Sequence, residues 1–484
     1  MDKREIRHHN LTMLTDFYEI TMANGYLAAG AMDKIAYFDM FFRSVPDGGG
    51  FAIMAGLEQL IEYLNGLAFT PEDLEYLRRR GFEEPFLNYL KDFKFSCDVW
   101  AVSEGTPIFP NEPIVTVRGP IIQAQFIETM ILLAINHQSL IATKANRIVR
   151  AAKGKGVMEF GSRRAQGYDG AIYGARAAYI GGCIGTANTI CERDFGIPAM
   201  GTMAHSWIQT FDSELDAFCA YAREYPQDCT LLVDTYQTLT SGVPNAIRAF
   251  NLEVLPRGYR PKAIRIDSGD ITYLSKKARK MLDEAGFSDC QIVASNALDE
   301  YLIRDMLLQG AKVDLFGVGE RLITAASSPV FGGVYKLSAV EKAGVVEPRI
   351  KISENVTKIT NPGFKKVWRL FDRNSGKAIA DLITLHDEVI DETKPYVLFD
   401  PDHTWKRKTV ENFVARPLMQ QIFKEGRQIY QPPALSQVRK YCKEQVGTLW
   451  EEVIRFENPH KYYVDLSEPL YQQKQQLLSQ YTPR

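Results

Sequence analysis

Between Lys262 and Gly319 short apolar runs alternate with amphipathic ones, and each short run stops at a polar or glycine-rich turn. Such a rhythm spells strand–helix–strand units, and strands joined through helices lie parallel. Ala263, Ile264 and Ile266 read as a strand ending at Asp267-Ser268-Gly269-Asp270. Leu274, Ala278, Met281, Leu282 and Ala285 then recur at helical spacing, and Gly286 stands where a left-handed C-cap is wanted. Ile292–Ala294 is the next strand, ending at Ser295-Asn296. Leu298–Gln309 is the next helix, closed by Gly310, and Val313–Phe316 is a strand ending at Gly317-Val318-Gly319. Similar strand ends stand at Phe160, Gly201-Thr202 and Asp234, and Gly332-Gly333-Val334-Tyr335 is expected to close the set. About seven or eight such units close into a barrel with its chemistry at the carboxyl ends of the strands. The alternative is an open doubly wound sheet, whose well-placed G-x-G-x-x-G is missing from the first strand–helix turn.

The 484 residues exceed one ordinary core. Residues 1–119 mix helices, at Thr15–Tyr26 and Pro71–Gly81, with extended pieces, and Pro107, Pro110, Pro113 and Pro120 favour short strands there. Beyond Asn361-Pro362-Gly363 the pattern changes to a hairpin over Lys365–Leu385, turning at Asn374-Ser375-Gly376, and then to a tail rich in Gln and Tyr. The expected domains are therefore an N-terminal α/β domain (1–119), a central α/β barrel with the active site (120–360) and a C-terminal cap (361–484). A net charge of −2 excludes a broad nucleic-acid surface. Met1–Asn10 is charged and has no apolar core, so no secretory signal is expected. Ile121–Ala142 is apolar but broken by Gln123, Gln125, Glu128, Asn136 and His137, which reads as a buried helix and not a membrane span. Seven cysteines without a C-x-x-C pair read as reduced thiols of a cytoplasmic protein, with no zinc site.

The polar residues at the strand ends are the candidates for chemistry. Asp267 and Asp270 flank a glycine and suit Mg²⁺ or sugar hydroxyls, although Ser268 or Asp270 also suits a helix N-cap. Arg265, two residues before Asp267, points to the same strand face. In Glu159-Phe160-Gly161-Ser162-Arg163-Arg164 the adjacent guanidinium groups suit phosphate oxygens, or form a solvated charge pair. Gly201-Thr202-Met203-Ala204-His205-Ser206 places an imidazole just past a strand, as acid, base or nucleophile, or as a structural histidine. Gly317 and Gly319 offer backbone N–H groups to a phosphate, or a tight turn. Leu14-Thr15-Asp16-Phe17-Tyr18 is an aromatic helical stretch that, taken alone, reads as a core-facing stripe.

Taken in chain order, the stretch Leu14–Tyr18, Glu159–Gly167, Gly201–Ser206, Leu232-Val233-Asp234-Thr235-Tyr236, Arg265–Asp270 and Gly332-Gly333-Val334-Tyr335-Lys336-Leu337 resemble the nicotinate phosphoribosyltransferase family. The resemblance covers roughly residues 14 to 337, and six motifs in order make coincidence improbable. It implies an irregular α/β barrel with an N-terminal α/β domain and a C-terminal cap, and a homodimer with shared active sites. It implies transfer of a phosphoribosyl group from 5-phosphoribosyl 1-diphosphate to nicotinate in NAD biosynthesis, with Mg²⁺ as cofactor and ATP phosphorylating a histidine. By motif that histidine is His205. Tyr18, from the partner subunit, and Phe160 resemble the two faces of the pyridine pocket. Arg265 and Thr202 resemble nicotinate contacts, Arg163 a phosphate ligand, and Asp267 and Asp270 the acids that hold ribose hydroxyls and Mg²⁺.

Two departures from the pattern matter. Some relatives carry threonine after the glycine pair, where this chain has Glu320, and an acid beside a phosphate is repulsive unless a cation intervenes. Contact with the donor is therefore expected from the backbone of Gly317 and Gly319, with the Glu320 side chain in question. The related nicotinamide enzymes carry an aspartate in a G-T-D-T stretch, and the comparable Gly185-Thr186-Ala187-Asn188-Thr189 has no acid. That speaks against an amide substrate. No extra cations can be placed for the second carboxylate of quinolinate. A non-catalytic barrel that binds a phosphosugar would have no need of His205 and the paired acids.

Overall fold

The computed structural model describes residues 10–354 and 358–481, so the charged start of the chain, Met1–Asn10, lies almost wholly outside the described residues. Contacts divide the chain into two compact units, residues 141–329 and residues 1–140 together with 330–484.

The unit of residues 141–329 is built on six parallel strands: β1 (Gly156–Glu159), β2 (Gly185–Thr186), β3 (Thr230–Leu232), β4 (Ala263–Ile266), β5 (Gln291–Asn296) and β6 (Leu315–Val318). Their order across the sheet is β2-β1-β6-β5-β4-β3, and every pairing is parallel. The last strand thus pairs with the first, and the order follows the chain around a ring with one seam between β2 and β3. Ala199 bridges Thr186 in parallel and extends the sheet into that seam. A doubly wound sheet grows outward from its first strand and does not return to it. The architecture is the irregular α/β barrel, with six strands and a bridge in place of seven or eight full units.

The strand ends double as helix caps. Asp270 Oδ1 accepts from the Tyr273 N–H at 3.0 Å and caps the helix Ile271–Glu284. Asp299 Oδ1 accepts from the Leu302 N–H at 2.8 Å and caps Glu300–Leu308. Each satisfies an N–H that the helix itself leaves unpaired. Gly286 and Gly310 end these helices at φ +81° and +79°, as their C-cap positions require.

Gly332-Gly333-Val334-Tyr335 does not close the parallel set. Gly333–Lys342 pairs antiparallel with Ile35–Phe42, in the seven-stranded sheet of the other unit. Side-chain packing selects this partner: the Tyr335 ring stacks on Phe38 at 4.9 Å and its hydroxyl donates to the Ala124 carbonyl at 2.7 Å. Val115–Pro120 pairs on the other side of Ile35–Phe42, and Asp98–Val102 follows. The expected hairpin forms from Lys365–Asp372 and Ala378–Leu385, where Asp372 Oδ1 accepts from the Asn374 and Ser375 N–H groups in the turn. Met419–Lys424 pairs with Asp98–Val102 and so joins the same sheet as the N-terminal strands.

Ile121–Phe126 and Glu128–Ala151 are helices. By length and composition this stretch passes as a membrane span, but 72% of its apolar window is buried within the protein, as its polar interruptions predict. All seven cysteines are free thiols, six of them buried.

Candidate active site

The carboxyl ends of the parallel strands bring together residues more than a hundred positions apart in the chain. Arg265 lies on β4 and its guanidinium reaches the end of β5 and two loops. Nε–H donates to Ser295 Oγ at 2.8 Å, Nη2 to Asp267 Oδ1 at 2.9 Å and Nη1 to Thr202 Oγ1 at 3.3 Å. Ser295 also donates its hydroxyl to Asp267 Oδ1. The Phe160 ring centroid lies 5.9 Å from Arg265 Cζ. An arginine has five N–H donors. Three are spent on the protein, which leaves one on each terminal nitrogen, the pair needed for two parallel bonds to a carboxylate.

Asp267 faces both the cation and the imidazole. His205 opens the short helix His205–Gln209; its Nε2 lies 3.9 Å from Asp267 Oδ2, and its Nδ1 lies 3.0 Å from Thr235 Oγ1. Both side chains stay partly open to solvent, at 40% for His205 and 30% for Asp267, so a ligand can reach them. Asp234, buried after β3, fixes the Asp267-Ser268 turn from below. Its Oδ2 accepts from the Asp267 N–H at 2.9 Å and from the Ser268 hydroxyl at 2.6 Å. Its Oδ1 is buried without a hydrogen-bond partner among the described residues.

Phe160 follows β1, and its N–H donates to the Val318 carbonyl at 2.8 Å. The ring lies against Gly317, where a Cβ would sit 2.6 and 2.7 Å from two ring carbons, so only glycine fits. Gly317 is inside β6, paired with Ser295 and Met158, and Gly319 leads into the short helix Glu320–Ile323. Glu320 is exposed and its carboxylate stands 3.7 Å from the Arg164 guanidinium. As an exposed pair it adds little stability. Arg163 is exposed and has no side-chain partner among the described residues. Asp270 is exposed and spends Oδ1 on its helix cap, which leaves its other carboxylate oxygen open.

Tyr18 belongs to the other unit, on the helix Phe17–Ala28, where it is 43% exposed. Burial of part of the ring, together with Glu128 as hydrogen-bond partner, raises the pKa of its phenol. Among the described residues no group of three or more His, Cys, Asp or Glu side chains gathers for a metal. Asn188 Oδ1 caps the helix Thr189–Phe195 by accepting from the Ile190 N–H at 3.2 Å. Ser295, Thr235 and the buried Asp234 complete this cluster; the sequence marks Ser295 only as a strand end, whereas Asp234 and Thr235 stand in one of the six motifs without an assigned role.

A guanidinium, a carboxylate, an imidazole and an aromatic ring gathered at the carboxyl ends of the strands form the rim at which an α/β-barrel enzyme carries its active site. The sequence profile of the nicotinate phosphoribosyltransferase (NAPRTase) family matches residues 156–368, that of its N-terminal domain residues 13–136 and that of its C-terminal domain residues 364–474. The nicotinate phosphoribosyltransferase of Bacillus subtilis is 44% identical over 479 residues, which cover 98% of this chain and 96% of the relative. One from Mycobacterium tuberculosis is 40% identical over 466 residues, 96% of this chain and 93% of the relative. The crystal structure of human nicotinic acid phosphoribosyltransferase matches with a TM-score of 0.83 at 28% identity, over 96% of this chain and all of that one. The chain belongs to the nicotinate phosphoribosyltransferase family.

Proposed function

We propose that this protein is an ATP-coupled nicotinate phosphoribosyltransferase of the cytoplasm: nicotinate, 5-phosphoribosyl 1-diphosphate, ATP and water give nicotinate mononucleotide, diphosphate, ADP and phosphate. The observation that carries this reading is the Arg265 guanidinium, held by Ser295, Thr202 and Asp267 with one N–H left on each terminal nitrogen. A planar carboxylate on a flat ring is the ligand such a fork fits. Phe160 would support one face of the ring, and Tyr18, from a partner subunit in a homodimer, the other. The ring nitrogen carries no proton, so no general base is required. Its lone pair forms the bond to the ribose C1 as the C1–oxygen pair leaves with diphosphate. The chain's task is orientation and charge stabilisation. Arg163 and the backbone at Gly317 and Gly319 would hold phosphate oxygens, and Asp267 and Asp270 the ribose hydroxyls.

Magnesium fits the donors of this rim. Asp267 Oδ2 and the uncapped oxygen of Asp270 are hard oxygens that would hold the ion through water, with substrate oxygens completing its shell. When bound, it would neutralise charge on the diphosphate. His205 would accept the γ-phosphoryl group of ATP. In the tautomer that donates Nδ1–H to Thr235, Nε2 carries the lone pair and faces Asp267. A phosphoryl group there adds about two negative charges beside a carboxylate, which favours its later loss to water.

The test is an assay of the purified full chain with ring-labelled nicotinate, the phosphoribosyl donor and Mg²⁺, with and without ATP. The expected result is labelled nicotinate mononucleotide, formed faster with ATP and with ADP released in step. No labelled nucleotide under either condition would overturn the proposal.

A further inference from the structure

We propose that Glu159 is a positioning residue for the pyridine ring, its buried carboxylate fastening the turn that carries Phe160; this rests on the reading of Phe160 as one face of the nicotinate pocket. Glu159 ends β1 and is fully buried. One carboxylate oxygen accepts from the Gly161 N–H, and the other accepts from the Thr186 hydroxyl at 2.6 Å. The Glu159 carbonyl accepts from the Ala187 N–H at 2.9 Å, and Thr186 Oγ1 accepts from the Asn188 N–H at 3.1 Å. A single side chain therefore ties the turn after β1 to the loop after β2. Phe160 sits inside that tie, between Glu159 and Gly161.

The rest of the geometry leaves the ring little freedom. The Phe160 N–H is bonded to Val318, and its ring rests on Gly317. At Gly161 a Cβ would meet Ile323 at 2.5 Å and Glu159 Oε1 at 2.8 Å, so the clasp itself requires glycine there. Burial pushes the Glu159 carboxyl up, opposed by the Thr186 and Gly161 bonds. An acid in such a place is costly to bury, and a well-packed apolar side chain is often as good for stability alone. Its bonds run to the two loops beside the pocket, so what it supplies is placement of the ring that meets the substrate.

A double-mutant cycle on the full-length enzyme separates this role from a general loss of stability. Glu159→Ala should raise KM for nicotinate at least tenfold while KM for the phosphoribosyl donor stays within twofold. Glu159→Gln should restore most of the loss, because the Thr186 hydroxyl can turn to accept from the amide. Phe160→Ala should raise the same KM, and the double variant should be no worse than Phe160→Ala alone. Multiplying effects in the double variant, or a parallel rise in the donor KM, would overturn the proposal. Should Glu159→Ala not fold, Thr186→Val removes both bonds of the Thr186 hydroxyl, to Glu159 and from the Asn188 N–H, at constant shape and should raise the nicotinate KM about threefold; no rise would count against the clasp. A wild-type chain that makes no nucleotide from nicotinate would overturn the functional reading and this inference with it, whereas an active wild type with an unshifted Glu159→Ala would overturn this inference alone.

Discussion

Arg265→Met should lower kcat/KM for nicotinate by about 30- to 4,000-fold, the range that follows from losing a charge-assisted pair of about 2–5 kcal/mol. The same substitution should change turnover of nicotinamide far less, because an uncharged amide does not draw on the guanidinium charge. The geometry explains the size of the effect. The end of β5 and two loops hold the fork through Ser295, Thr202 and Asp267, so binding the carboxylate need not freeze a flexible side chain. Methionine also leaves Asp267 without its cation, only 3.9 Å from the imidazole. Arg265→Lys retains the charge and loses the fork, and should fall between the two. Steady-state kinetics with both substrates at saturating donor checks this. Equal losses for acid and amide would mean that Arg265 supports the site without reading the carboxylate.

His205→Ala should reduce nicotinate-dependent ATP hydrolysis to background, a loss of at least a hundredfold in coupled ADP release, while slow ATP-independent transfer survives. In the proposed mechanism the chemistry at ribose C1 calls on Arg265, Asp267 and the stacked ring and not on the imidazole, so removing His205 should uncouple the two halves of the cycle. Following ADP and nucleotide in one reaction separates the outcomes. A variant that still releases ADP in step with product would remove His205 from the phosphoryl path. Thr235→Val, which frees Nδ1 and leaves the imidazole in place, should weaken coupling without abolishing it.

Much of the barrel is legible in the sequence because parallel strands are short, apolar and followed by helical spacing. The stretch from Ala263 to Gly319 shows this rhythm plainly, and there the boundaries agree to within a few residues. Arg265 and Asp267 could be placed on one face from the period of two alone. Their meeting with His205 depends on Asp234 and Thr235, which lie about thirty residues from either partner, and local pattern holds no information on that distance. Ser295 reads as an ordinary strand-end serine until the Arg265 and Asp267 side chains arrive on both sides of it. Glu159 hid behind the arginines that follow it, which look more reactive in one dimension. Gly333–Lys342 was misplaced for a different reason. Its glycine-rich entry resembles a barrel turn, but antiparallel pairing and the Tyr335–Phe38 stack decide its sheet, and both are tertiary. The strand Met419–Lys424 has Gln420 and Gln421 breaking its alternation, and its place is fixed by pairing with Asp98–Val102 on one side and Arg427–Gln428 on the other. Asp270 shows the remaining ambiguity: a carboxylate at a strand end suits both a ligand and a helix cap, and here it serves the cap with one oxygen.

The most direct test is a crystal structure of the chain with nicotinate bound. The carboxylate should lie on the two open N–H groups of Arg265, within hydrogen-bond distance of Thr202, with the pyridine ring on Phe160 and its nitrogen turned toward Asp267 and His205. Nicotinate bound with its carboxylate away from Arg265, or bound elsewhere in the molecule, would contradict the assignment of this site.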